Sequence, residues 1–226
     1  AVWSEREEWG GESLGEFSRY IRQNNYPPRI RGTLRDAVSY LWVELLADSS
    51  LWSPAESNGV HQIDATELMV GDPEASANLD LEVPAVHPLP KIGALLDDLE
   101  AWHLAARRPE AALEARLERL RKLIGAFATD EDKLASRPQL EGVQAAFDSS
   151  LSWWSKGPAT LAEFIRAEKD TDALIRAREA ALAGRERHPG SIGGQRCDHI
   201  VASIEAPSYS LSAMAVDGPG RRSIQV

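Results

Sequence analysis

The stretch Thr33-Leu34-Arg35-Asp36-Ala37-Val38-Ser39-Tyr40-Leu41-Trp42-Val43-Glu44-Leu45-Leu46-Ala47 decides the fold class. Leu34, Ala37, Val38, Leu41, Trp42, Leu45 and Leu46 advance by three and one, the spacing that lines one side of an α-helix. Thr33 stands where a helix needs an N-cap hydroxyl. The pattern predicts a helix over 34–47 with its apolar stripe turned to the core.

Upstream, Ser4 with Glu7 and Ser13 with Glu16 have capping-box spacing, and the second pair leads into Leu14, Phe17 and Ile21. Pro27 and Pro28 end that helix, since proline lacks a donor and clashes with the preceding turn. Downstream, residues 48–91 hold Pro54, Gly59, Gly71, Pro73, Pro84, Pro88 and Pro90, which break any period. Only short strand-like runs survive there, at 67–70 and 79–83, so the segment reads as acidic, proline-rich and irregular.

The helical period returns with Ile92, Leu95, Leu96, Leu99, Trp102 and His103. After Arg107-Arg108-Pro109 it continues through Leu113, Leu117, Leu120, Ile124 and Phe127, which predicts an antiparallel hairpin, 92–106 against 110–127. A further helix is expected over 138–156, carrying Leu140, Val143, Phe147, Leu151 and Trp154, with Gly157-Pro158 as its stop. Thr160 and Glu163 then open a helix to about Ala183, with Gly184 as the C-terminal signal. Beyond His188-Pro189-Gly190, the alternation of Ile200, Ala202 and Ile204, and of Tyr209, Leu211, Ala213 and Ala215, reads as short strands. Asp217-Gly218-Pro219-Gly220 is a turn from which 221–226 returns.

The expected fold is thus mainly α (α+β): a bundle of about six helices with a small C-terminal antiparallel β-sheet. Three regions follow: 1–91, helical and then irregular; 92–188, the helical bundle; and 189–226, the strands.

With 43% hydrophobic and 27% charged residues and seven tryptophans, the 226-residue chain has too much apolar surface to remain disordered. The single cysteine, Cys197, excludes an intrachain disulfide framework and a cysteine-rich zinc site. No apolar run reaches the roughly 18 residues of a membrane span, and the first 25 residues lack a signal peptide's basic start and apolar centre. A cytoplasmic protein is expected. Five lysines against twenty arginines, with abundant alanine, fit the coding bias of a GC-rich bacterial genome.

The net charge of −10 is unevenly spread. Residues 5–16 carry five acids and one base; residues 17–35 carry five arginines and no acid; residues 36–100 carry thirteen acids and one lysine. Such a chain repels polyanions at long range, so nucleic acid could engage only a local patch. Arg19, Arg22, Arg29, Arg31 and Arg35, interleaved with Tyr20 and Tyr26, form that candidate patch for a phosphate or a single strand. Their alternative use is pairing with the chain's own acidic segments.

Two sequences could carry catalysis. Glu100-x-x-His103 sets a carboxylate and an imidazole one helical turn apart, as a metal ligand pair would be, but the second such step of a di-iron bundle is missing. Cys197-Asp198-His199 would put a thiol and an imidazole on one face of a strand. The glycine-rich His188–Gly194 has the wrong order for a phosphate loop and reads as a connector. Trp153 and Trp154 cannot both face one core from one helix, so Trp153 is assigned to an interface. No catalytic, cofactor or metal residue is assigned. The expected function is a non-catalytic interaction or scaffold subunit bound to another protein chain. The alternatives are a nucleic-acid- or phosphate-binding module built on Arg19–Arg35, and an enzyme centred on Cys197 or Glu100/His103.

Overall fold

In a computed structural model, residues 2–22, 24–127, 134, 136–207, 212–213 and 224–225 are described. The chain is mainly helical, as its periodicities require. The N-terminal segment runs through a 3₁₀ turn, a single helical turn α1 (Arg6–Trp9) and a second 3₁₀ turn (Leu14–Phe17). Helix α2 then spans Leu34–Ala47. Its start is fixed by a full capping box: Thr33 Oγ1 accepts from the Asp36 amide, and the Asp36 carboxylate accepts from the Thr33 amide.

Residues 48–91 are irregular only in part, chiefly over 79–87. They fold into α3 (Pro54–Gly59), α4 (Ala65–Val70) and α5 (Pro73–Asn78), each too short to display a period. Their caps hold them: Ser53 and Glu56 close a second capping box, and Asp64 accepts from the amides of Thr66 and Glu67. The strand-like runs at 67–70 and 79–83 are therefore corrected, the first lying in α4 and the second outside any strand.

Helices α6 (Pro88–Ala105) and α7 (Pro109–Ala126) form the expected hairpin, with Arg107 (φ 56°) in the left-handed conformation at the turn. Leu95, Leu96, Leu99, Leu113, Leu117, Leu120 and Leu123 are all buried between them and their neighbours. One apolar cluster runs from Ile30 to Ala177. Inside it, Asp97 pairs with Arg119 and Glu100 with Arg116. Gly71 (φ +77°) passes so close to this lattice that a Cβ would lie 2.5 Å from Arg119 Nη1. Glycine is required there on both counts.

The expected helix over 138–156 is two elements, α8 (Arg137–Ala146) and a 3₁₀ turn at Ser152–Ser155. Gly157-Pro158 does not stop a helix but sits in the first turn of the next, α9 (Lys156–Arg166), where a proline's missing donor costs nothing. The helix expected to follow Thr160 is likewise divided, into α9 and α10 (Ala173–Arg187). Thr160 is no cap: its hydroxyl donates to the Lys156 carbonyl inside α9.

The strand expected over 200–205 is a helix, α11 (Ile192–Glu205), capped by Ser191, which accepts from the Gly194 amide. Cys197, Ile200, Val201 and Ile204 step by three, one and three, and bury against α9 and α10. Gly184 is no terminator either. It lies within α10 at the crossing, where a Cβ would meet Cys197 Sγ at 2.5 Å and Pro158 Cβ at 2.9 Å. The expected C-terminal antiparallel sheet is not shown: the described residues there hold only the pairs Ser212 with Gln225 and Ala213 with Ile224. The rest of the expected hairpin over 209–226 lies outside the described residues.

Candidate interaction face

Helix α2 buries polar residues and leaves part of its apolar stripe exposed. Arg35, Asp36, Ser39, Tyr40 and Val43 are buried, whereas Leu41 is 60% and Leu45 57% exposed. Leu34, Ala37 and Val38 are half-buried beside them, and Trp42 and Leu46 lie at the edge of the core, with Trp42 stacked 5.7 Å from Trp3. The expectation that the whole stripe faces inward is corrected.

Polar partners supply the reason. Arg35 Nη2 donates to Asp98 at 2.7 Å, and its Nη1 lies 3.0 Å from Glu7. His103 Nε2 lies 2.8 Å from Asp36 Oδ1, while Asp36 Oδ2 accepts from the amides of Gly32 and Thr33 and from the Thr33 hydroxyl. A buried charge without such partners is expensive, so Arg35 and Asp36 hold the helix in this rotation. Turning the apolar stripe inward would strand both.

The arginine segment divides. Arg19 and Arg22 are exposed. Arg29 Nε donates to Glu110 at 2.6 Å. Arg31 lies between the rings of Tyr26 and Tyr40, 4.0 and 3.5 Å from their centroids, and its Nη2 donates to Glu114 and Glu118 at 2.6 and 3.0 Å. Arg29, Arg31 and Arg35 thus spend their charge on the chain's own carboxylates, as cis pairing requires.

Trp153 is 2% exposed, so the ring expected on a partner surface is covered by its own fold. Helix α8 ends at Ala146, ten residues before the expected end at 156, and the turn that follows redirects the side chain. The indole donates to Glu114 Oε2 at 2.8 Å, Tyr26 packs 6.0 Å away, and Lys156 sits over the ring. Trp154, expected in the core, is half-buried and donates to the Gln144 carbonyl. Burial opposes ionisation of Glu114, yet Arg121 and Arg31, with hydrogen bonds from Arg31 and Trp153, hold its pKa below the ordinary carboxylate value.

The catalytic pairs do not assemble. Glu100 faces Arg116 and Arg119, while His103 faces Asp36, and no trio of His, Cys, Asp or Glu among the described residues is arranged to hold a metal ion. Cys197 is buried with its thiol 3.6 Å from the Ser155 carbonyl, and desolvation pushes its pKa up to about 11. Its neighbour in the expected pair, His199, is exposed, because on a helix residues two apart project roughly 200° from one another. The expected same-face geometry belonged to a strand.

Comparison with known protein families, with curated proteins and with solved structures finds no match to the chain. No helix among the described residues is long and apolar enough to cross a membrane. The residues that sequence reasoning missed are therefore Leu41 and Leu45. Their only signal was the stripe itself, which spacing places on one face without saying which way that face turns.

Proposed function

We propose that the protein is a non-catalytic interaction subunit that docks another protein chain on the outward stripe of α2, in a cytoplasmic assembly. The supporting observation is the pairing of two facts on one helix. Its polar residues Arg35 and Asp36 are fixed inward by charged partners, and Leu41 and Leu45, at 60% and 57% exposure, are left in solvent. A contiguous apolar face rimmed by polar groups is what protein interfaces present before they are covered. The nucleic-acid reading is less favoured, because Arg29, Arg31 and Arg35 are neutralised within the fold. The enzyme reading is less favoured, because a thiol titrating near 11 holds little thiolate at neutral pH, and Glu100 and His103 are taken up by separate partners.

The test is a photo-cross-linking residue placed at Leu41, at Leu45, or at the exposed control position Glu141, in cells that make the protein. The reading expects a discrete protein adduct from 41 and 45 and none from 141. Equal or absent adducts at all three positions contradict it.

A further inference from the structure

Apart from the α2 face, the groove between α4, α5 and α6 has a chemistry of its own, and we infer that it binds a small organic cation, an ammonium group carried on an aryl or alkyl body. The groove encloses about 300 Å³. Its walls are apolar, formed by the half-buried Ile63, Leu68, Leu79 and Pro90. Its rim carries the exposed carboxylates of Asp64, Glu67 and Asp72, and no lysine, arginine or histidine among the described residues lines it. The walls are braced. Ser76 Oγ donates to Asp97 Oδ2 at 2.9 Å, which ties α5 to α6. Gly93 leaves α6 bare where α4 meets it, since a Cβ there would lie 2.9 Å from Leu68 Cδ1.

The charge at this rim is not spent inside the fold. Among the described residues neither Asp64 nor Glu67 has an ion-pair partner, and Asp64 accepts only from the amides of Thr66 and Glu67. Arg119, behind Gly71, is committed to Asp97 and Glu100. Carboxylates facing apolar walls attract a cation and repel an anion, so the groove selects by charge as well as by shape. A bare metal ion does not suit it: no trio of His, Cys, Asp or Glu among the described residues is arranged to hold one, and the apolar walls supply no ligand atoms. The cation must bring an apolar body of its own. The volume is that of about ten waters at about 30 Å³ each, room for a ring and a short chain but not for a folded peptide.

The probes are phenethylamine, phenethyl alcohol and phenylacetate, which share an apolar body and differ in headgroup charge, titrated by calorimetry into the full chain. The inference expects the amine to bind about tenfold or more tightly than the alcohol, and the phenylacetate not to bind. Asp64→Asn/Glu67→Gln should erase the amine's advantage with the urea midpoint nearly unchanged, because asparagine is as good an N-cap as aspartate. Leu79→Ser should weaken the amine and the alcohol alike. Glu8→Gln/Glu12→Gln makes the same charge change at exposed residues outside the rim carboxylates and should leave binding as it is. An equal loss in that control would reveal long-range attraction to an acidic chain and overturn the inference. So would absent binding of the amine, equal binding of amine and alcohol, or tetralysine binding as tightly as the amine, which would show that charge alone decides.

Discussion

Replacing Leu41 with alanine distinguishes an outward stripe from an inward one by the size of a single free-energy change. A leucine taken fully out of water is stabilised by about 1.5–3 kcal/mol, and its replacement in a core costs about 2–5 kcal/mol once the cavity is counted. Leu41 is 60% exposed, so less than half of that transfer term is at stake and there is no enclosed cavity to open. The better helix propensity of alanine recovers a few tenths of a kcal/mol. Leu41→Ala should therefore lower stability by about 0.5 kcal/mol or less, within the range of ordinary surface changes. Leu99→Ala, at a fully buried position of α6, should cost about 2–5 kcal/mol and serves as the reference. Urea melts of the two variants at constant slope supply both numbers. A loss above about 2 kcal/mol for Leu41→Ala would mean that the stripe is packed within the chain, and the reasoning would fail.

Three further outcomes follow from the packing. Trp153→Ala should cost about 3–5 kcal/mol, since it removes a buried ring and the donor to Glu114 Oε2, and Trp154→Ala should cost visibly less in the same melts. Gly184→Ala should destabilise by about 1–3 kcal/mol through the clash with Cys197 and Pro158, and Cys197→Ala in the same chain should restore part of the loss. Because the folded state holds the pKa of Glu114 below its ordinary value, its contribution is present above that value and lost as pH falls through the folded one. Glu114→Gln should therefore lower stability at neutral pH and flatten the loss as pH falls below the ordinary carboxyl value, read from urea midpoints across the acid range.

Local signals carried much of the fold. The N-cap at Thr33, the bounds of α2 and the α6–α7 hairpin were legible because each depends on residues within a few turns of one another. The rotation of α2 was not, because Asp98 and His103, which hold Arg35 and Asp36, lie more than sixty residues away. In α11 two periods overlapped: Ile200, Ala202 and Ile204 alternate as a strand would, while Cys197, Ile200, Val201 and Ile204 follow a helix. The helical set won because Gly184 lets α11 approach α10 closely enough to bury it. Helices α3, α4 and α5 were hidden by length alone, although Ser53 with Glu56, and Asp64, had marked their starts.

That α2 turns the Leu41–Leu45 part of its apolar stripe to solvent is tested most directly by thiol labelling of Leu41→Cys and Val43→Cys in the folded protein. The two positions lie about 200° apart on one helix, so they report opposite faces under identical conditions. Native Cys197, buried and with its pKa near 11, is an internal zero. The cysteine at 41 should label as fast as in urea, and the one at 43 as slowly as Cys197. Protection at 41 with rapid labelling at 43 would place the apolar stripe in the core and remove the docking face.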